Sequence, residues 1–455
     1  MMFLNSYTRP ATPVPDFLLT DNNVLEKNSA TKSPSLPGDI SKKLDDLKLF
    51  GKESNPQVAE ALSTLGQSCA RNGNKAKALH YYNQALEISK ETLPSGHPHI
   101  ADVLCSIGGA MKKFDMLEES KYKFQEALTI YRKANKNRSW ITDTDEASKA
   151  QSDYYLQHST ASALCSLGNI EFQQKKMTSA LKYFEDALLD AKRAAVTGVV
   201  MDRKSRSSRA LTKNPKLKNL KDARIFVAEM FNNLGNVHAE LDNRSAATRH
   251  YNQALALQMQ ELGEDDPSVA DTLHNMGTLH HRSGEMIFAL KSYKQVLKMR
   301  RLTLGNRHPQ VVHSLVNLST LHEKAGEFDK AESALQAALR ILVSSHGGTS
   351  EPVADMRVQL GDQEARIGTE KAALEHLEIA LKLYEKVEFD DSHPSVKKAK
   401  DSIEYVKNKS DENSSTNSLV EATETIGTMF NKGCGVFCFN NDASNLQIVD
   451  SRDDC

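Results

Sequence analysis

Little in this 455-residue chain is suited to cross-linking, membrane crossing or strong electrostatic attraction. Six cysteines are too few and too scattered for a disulfide framework, so a reducing, cytoplasmic setting is expected. Cys69, Cys105 and Cys165 fall within helical patterns and are expected to be small buried residues, whereas Cys434, Cys438 and Cys455 lie near the C-terminus. Charge nearly cancels: 58 Lys and Arg against 59 Asp and Glu leave −1, so no net field draws nucleic acid or a membrane. No apolar run reaches the length of a membrane-spanning helix, and the N-terminus lacks a basic-then-apolar leader. Gly and Pro, at 22 and 13, are sparse enough for long helices, and a single Trp suits thin packed layers better than a deep core. A phosphate loop, a nucleophile elbow, an HExxH pair and a kinase signature are all missing. No catalytic residue, cofactor or metal is expected, and the chain reads as non-enzymatic.

What the chain does have is a period. MFNNLGNVHAELDNRSAATRHYNQAL from Met230, TLHNMGTLHHRSGEMIFALKSYKQVL from Thr272 and SLVNLSTLHEKAGEFDKAESALQAAL from Ser314 align without gaps at a step of 42 residues. With Gly235 as marker, the step leads to Gly277, Ser319 and Gly361, and the same pattern stands upstream at Gly66, Gly108 and Gly168. In each copy small residues follow the marker by 12 and 19, with an aromatic or Leu at 16. Repeat four has Ala247, Tyr251 and Ala254; repeat seven has Ala373, Leu377 and Ala380. A marker without a side chain and small residues on the facing helix let two helices approach closely, while the large residue fills the remaining groove. Gly inside a helix costs ~1 kcal/mol relative to Ala, so its recurrence implies a packing return.

Proline keeps the same time. Pro56, Pro98, Pro267 and Pro309 stand ten residues before a marker and Pro352 nine before, and Pro in a first helical turn loses no needed hydrogen bond. His97-Pro98, His308-Pro309 and His393-Pro394 are read as helix starts, the last opening a single polar helix from Val396 to Asn408. The period predicts an all-α solenoid over residues 51–408, with about seven helix-turn-helix repeats and a C-terminal capping helix.

The Leu-Gly pair in the first helix (A), with the Ala, aromatic and Ala pattern in the second (B), resembles the tetratricopeptide repeat (TPR) family. The 42-residue step and the starts His97-Pro98-His99-Ile100-Ala101 and Asp266-Pro267-Ser268-Val269-Ala270 are similar to kinesin light chain and its nephrocystin-3-like relatives. The resemblance covers residues 55–408. It implies a right-handed superhelix whose A helices line a concave groove holding a peptide or helix of a partner protein, and hence a scaffold or adaptor. It also implies an alternative, a cargo adaptor in microtubule-based transport with kinesin heavy chain as partner. The heptad segment through which light chains pair with the motor has no counterpart within residues 1–50.

On the A helices, the positions expected to face that groove carry Asn232, Asn233 and Asn236, then His274, Asn275 and Thr278, then Asn317 and Thr320. An Asn amide offers both donors and an acceptor, so it can grip the N–H and C=O of an extended peptide of any sequence. Flanking charges such as Glu240, Asp271, Arg282 and Lys324 would choose among partners. The same asparagines could instead bridge adjacent repeats internally. Chaperone-binding members of the family clamp a terminal carboxylate with Asn and cations. Asn236 and Asn275 match those asparagines, but Asn232, His313 and Asn317 stand where cations would be, so chaperone tails are not expected. His238, His280 and His322 recur at one position, yet stacked helices lie roughly 10 Å apart. Zinc ligands must converge within ~2 Å of one point, so packed rings are expected rather than a metal.

The period breaks twice. Gly108 to Gly168 is 60 residues and Gly168 to Gly235 is 67, which places insertions near 135–153 and 192–224, expected as edge loops. The first holds the only Trp, Trp140; the second has eleven Lys and Arg against two Asp, including MDRKSRSSRALTKNPKLK with Ser205, Ser207 and Ser208 as candidate phosphorylation sites. Nothing aromatic is interleaved there for nucleic-acid stacking, so no nucleic acid is expected as a partner. Residues 1–50 and 409–455 read as mostly disordered. The tail has a weak amphipathic stretch through Leu419, Ile426 and Phe430, and Cys434 and Cys438 as candidate lipidation sites, so a membrane enters only if they are acylated.

Overall fold

A computed structural model describes residues 56–138, 140–141, 146–206 and 215–410. The N-terminal segment and, from residue 411 on, the tail with Cys434 and Cys438 lie outside the described residues. Within them, all regular structure is helical. The A and B helices alternate: α1 (Pro56–Arg71) and α2 (Lys75–Thr92), α3 (Pro98–Lys113) and α4 (Leu117–Asn137), α5 (Glu146–Gln173) and α6 (Met177–Arg206), α7 (Pro215–Glu240) and α8 (Arg244–Leu262). They continue with α9 (Pro267–Arg282) and α10 (Met286–Leu304), α11 (Pro309–Lys324) and α12 (Phe328–His346), α13 (Glu351–Ile367) and α14 (Glu370–Lys386). A last helix, α15, covers residues 394–410.

Each A helix ends in the same turn. The residue seven after the marker takes a positive φ in every repeat: Gly73, Gly284, Gly326 and Gly368, but also Asp115, Lys175 and Asp242 at 59°, 60° and 54°. The next N–H then reaches back to the carbonyl five residues earlier, as Asn243 does to His238 at 2.8 Å and Glu327 to His322 at 2.8 Å. This left-handed closure satisfies carbonyls that the helix end would leave open and reverses the chain into helix B.

The marker works by absence. A Cβ built on Gly66, Gly108, Gly168 or Gly235 would lie 3.0, 2.9, 2.7 or 2.4 Å from the ring of Tyr82, Phe124, Phe184 or Tyr251. Each ring therefore lies directly on bare helix A backbone. The flanking Ala78, Ala85, Ala180, Ala187, Ala247 and Ala254 are fully enclosed, and burying one such ring contributes about 2 kcal/mol. Where repeat two has Ser120 instead of Ala, its hydroxyl donates to Gly108 O at 2.7 Å, which makes the substitution tolerable inside the core.

The insertions are not simple edge loops. Helices α5, α6 and α7 run to 28, 30 and 26 residues, against 16 for α1 and α3, so most of the inserted sequence prolongs helices. The expectation failed because packing outweighs propensity: Tyr154, Ala194 and Ala223, one from each prolonged helix, bury one another. A Cβ on Gly198 would lie 3.4 Å from Leu220 Cα, a close approach of α6 and α7. Residues 139, 142–145 and 207–214, including Ser207 and Ser208, lie outside the described residues. The first insertion is also tied back: Trp140 lies edge-on to His97 and Tyr155 at 6.0 Å, and Arg138 pairs with Asp153 at 2.9 Å. Tyr131 and Tyr155 both donate to the Asp102 carboxylate, at 2.6 and 2.5 Å.

The chain forms two compact units, one up to Ser292 and one from Tyr293. In the first, successive helices pack in order, and each A helix also touches the next: α1 on α3, α3 on α5, α5 on α7, α7 on α9. The A helices of this unit form one layer. In the second unit α11, α12, α13 and α14 pack in sequence. One core there joins Leu335, Leu377 and Tyr384 to Val396, Ala399 and Val406 of α15. Among the described residues no helix is long and apolar enough to cross a membrane.

Candidate partner-binding face

Within the A layer of the first unit, side chains two and three residues before the marker meet across repeat boundaries. Asn275 donates through Nδ2 to Asn232 Oδ1 at 3.1 Å. One repeat earlier, Asn233 donates through Nδ2 to Cys165 Sγ at 3.6 Å. The register is the same in both: a residue two before its marker reaches one three before the preceding marker. Asn232, Asn233 and Asn275 are only 6%, 6% and 5% exposed, and buried amides need partners, which they supply to each other. The rung leaves the Asn275 carbonyl and the Asn232 amine unused in it. Burial pushes the Cys165 thiol up to about 12, so it acts as a neutral packing group. Cys165 is buried as expected from the sequence, whereas Cys69 and Cys105 are only half-buried.

The other expected residues are placed differently. Asn236 is half-buried and accepts from Tyr251 Oη at 2.8 Å, fixing the ring that covers Gly235. His274 and Thr278 are half-buried on α9, with Thr278 Oγ1 donating to His274 O at 3.1 Å. In the second unit Asn317 is half-buried and Thr320 exposed on α11. The eight residues thus divide into three enclosed in inter-repeat contacts, one holding a core tyrosine, and four reaching the surface.

The flanking charges partly satisfy one another. Arg282 pairs with Glu240 at 2.8 Å across a repeat boundary, both five residues after their markers. In the second unit Arg366 and Glu323 pair across a boundary in much the same way. The recurring histidines also have local duties. His280 meets Glu285 and His322 meets Glu327, each through Nδ1 at 2.5 Å, closing the turn between helices A and B. His238 stacks on His250 with centroids 5.3 Å apart. Among the described residues no three His, Cys, Asp or Glu converge as a metal would require.

Two features escaped the sequence reading. Lys121 of α4 and Glu171 of α5 form an ion pair at 2.5 Å, with the Glu171 side chain 3% exposed, and this contact raises the Lys121 pKa. Only a three-dimensional register pairs a B-helix lysine with a glutamate 50 residues on. Clefts of about 310 and 550 Å³ also open between α4 and α6, away from the asparagines; Arg132 and Asp186 line both, and the floor of the smaller comes from Leu156 and Leu164 of α5. Their lining is a mixture of both charges with Leu, Thr and Gln.

Comparison with known families agrees with this architecture. A tetratricopeptide repeat profile matches residues 57–133, 226–301 and 275–344, and a second of the same description matches 160–196. Together these stretches take in just over half of the chain, which belongs to the tetratricopeptide repeat family. Its A–B pairs are thus TPR units, and solved structures with similar chains include the following. The apo form of the quorum sensor NprR from B. thuringiensis is 15% identical with a TM-score of 0.51, covering 80% of this chain and 86% of that one. BtubC (BKLC) from P. vanneervenii is 16% identical at a TM-score of 0.40, covering 64% and 92%. The nearly identical TPR-like repeats of a putative kinesin light chain from Podosopora anserina are 15% identical at 0.32, covering 64% and 98%. At such identities the likeness concerns the fold alone. No curated protein matches the chain significantly.

Proposed function

We propose that this chain is a non-enzymatic scaffold that holds a segment of a partner protein against its A helices, centred on repeats four and five. The observation that carries the reading is the layer of A helices in the first unit, with a polar stripe (Asn232, Asn236, His274, Asn275 and Thr278) crossing α7 and α9. Polar side chains at a repeat boundary, on a family whose members bind proteins, suit recognition of a peptide backbone. In this reading Asn232, Asn233 and Asn275 set the spacing of the stripe, while His274 and Thr278 make the contact. The division of labour changes which variants are informative: removing Asn236 or Asn275 disturbs the fold as well as the surface, whereas Thr278 is half-buried on α9 and its Oγ1 donates to His274 O.

The test is affinity capture with the full chain and with a His274→Ala, Thr278→Arg double variant. The expected result is loss of the partners specific to the wild type, with the melting temperature unchanged within about 2 °C, as for surface substitutions. Unchanged capture by a folded double variant would refute the face.

A further inference from the structure

Three helices that open on His-Pro are capped by the histidine itself. His97 Nδ1 accepts from the His99 N–H at 3.2 Å at the start of α3, and His308 Nδ1 accepts from the Gln310 N–H at 3.2 Å at the start of α11. His393 Nδ1 does the same for the Ser395 N–H at 3.3 Å at the start of α15. His97 and His308 hold the extended backbone of an N-cap, with φ, ψ of −65°, 132° and −74°, 142°. At the start of α9 the position belongs to Asp266, with φ, ψ of −70°, 140°, whose Oδ1 accepts from the Ser268 N–H at 2.8 Å. The molecule thus holds its own control: one geometry served by two chemistries.

The chemistries part company in acid. The first N–H groups of a helix have no acceptor within it, so a cap atom supplies one. An imidazole accepts at Nδ1 only as the neutral tautomer with its proton on Nε2. Protonation replaces the acceptor by a donor aimed at another donor and sets a cation at the positive end of the helix dipole. Asp stays an acceptor, with a charge the dipole favours, throughout pH 5–8.

We propose that the His-Pro starts are acid-sensitive catches: α3, α11 and α15 lose their caps as the histidines protonate, while α9 keeps its own. The three histidines have different surroundings. Around His97 lie the Trp140 ring, His99 and the Asp102 carboxylate. Burial and the neighbouring His99 hold His97 below the ordinary histidine range, which keeps its cap at neutral pH, and Asp102 opposes them. Around His393 lie the Phe389 ring, stacked at 3.8 Å, and Asp390, whose carbonyl accepts from the His393 N–H at 3.1 Å. At the start of α11 the nearby charge is the Arg300 guanidinium, which donates to Gln310 O at 3.3 Å. Acidification is therefore expected to loosen the starts of repeats two and six and of the last helix.

Hydrogen exchange of the full chain, followed by mass spectrometry at pH 7.5 and 5.5 and corrected for the intrinsic exchange rate, tests this. The first turns of α3, α11 and α15 should lose protection by roughly fivefold on acidification, the scale of a lost N-cap, while the first turn of α9 stays unchanged. Replacing the three histidines by Asn, a neutral acceptor, should remove the acid step and keep the protection seen at pH 7.5. The proposal is overturned if the His-capped turns follow the Asp266-capped turn across pH, or if the triple Asn variant keeps the wild-type step. The first comparison needs no variant, so it stands even if the triple variant does not fold.

Discussion

Repeats five to seven and repeats three to four use the same packing code under different rules of length. In the former, helix A starts at 267, 309 and 351 and helix B at 286, 328 and 370, an unbroken step of 42. In the latter the marker, ring and small residues are intact, with Phe184 on Gly168 and Tyr251 on Gly235, yet the helices overrun the repeat by several turns. The contrast separates two jobs. The marker and its ring fix how helix A meets helix B, and nothing in that contact limits how far either helix continues. Length is decided beyond the repeat, by whether prolonged helices find partners, as Tyr154, Ala194 and Ala223 do.

Charge in the prolonged region sharpens this most. Ala194 is fully enclosed, so Ala194→Arg should cost about 4 kcal/mol if the extension is part of the cooperative fold. A loss under about 1 kcal/mol in urea unfolding would show that the extension frays independently. Lys121→Met, which strands Glu171 in the interior, should cost about 3 kcal/mol; an unchanged urea midpoint would mean that this pair does not couple repeats two and three.

The ring-on-glycine contact gives a graded series. Gly235→Ala should cost about 2–3 kcal/mol and Gly66→Ala the least, following clearances of 2.4 to 3.0 Å to the ring. Equal losses across the four glycines would mean that the rings move aside freely.

Acid acts on the extension too. His158 lies between Tyr154 and Phe226, with its Nδ1 enclosed and unpartnered, and burial lowers its pKa to about 4. A depressed histidine pKa contributes stability above the unfolded value near 6.5, which is lost as pH falls toward 4. Acidification from pH 7 to 5 should therefore destabilise the first unit by about 2 kcal/mol through this residue, and His158→Phe should remove that share of the pH dependence in thermal melts. The smallest effect runs the other way: Asp242→Gly should raise stability by about 0.5–1 kcal/mol, because Asp242 holds a φ of 54° that glycine adopts without strain.

The repeat fold was legible because its signals are local and multiplied. Pro98, Gly108, Ser120, Phe124 and Ala127 lie within 30 residues, and each recurs in kind elsewhere. The lengthened helices were not legible, since VTGVV in α6 has little helical propensity, and it is Thr197 on Gln157 of α5 and Gly198 against Leu220 of α7 that hold it. The polar stripe falls between these cases. Its position on helix A was readable, but the burial of Asn232 and Asn275 arises from a contact between residues 43 apart, which no pattern within one repeat reveals. The left-handed turn residue could have been found, as Gly or Asp stands seven after the marker in six of seven repeats.

The account rests on the A layer being the side that meets a partner. Once a partner is captured, hydrogen exchange with and without it places the contact directly. Protection concentrated in α7 and α9, around His274 and Thr278, is the predicted footprint; protection confined to α8 and the B helices, with α7 and α9 unchanged, would contradict it.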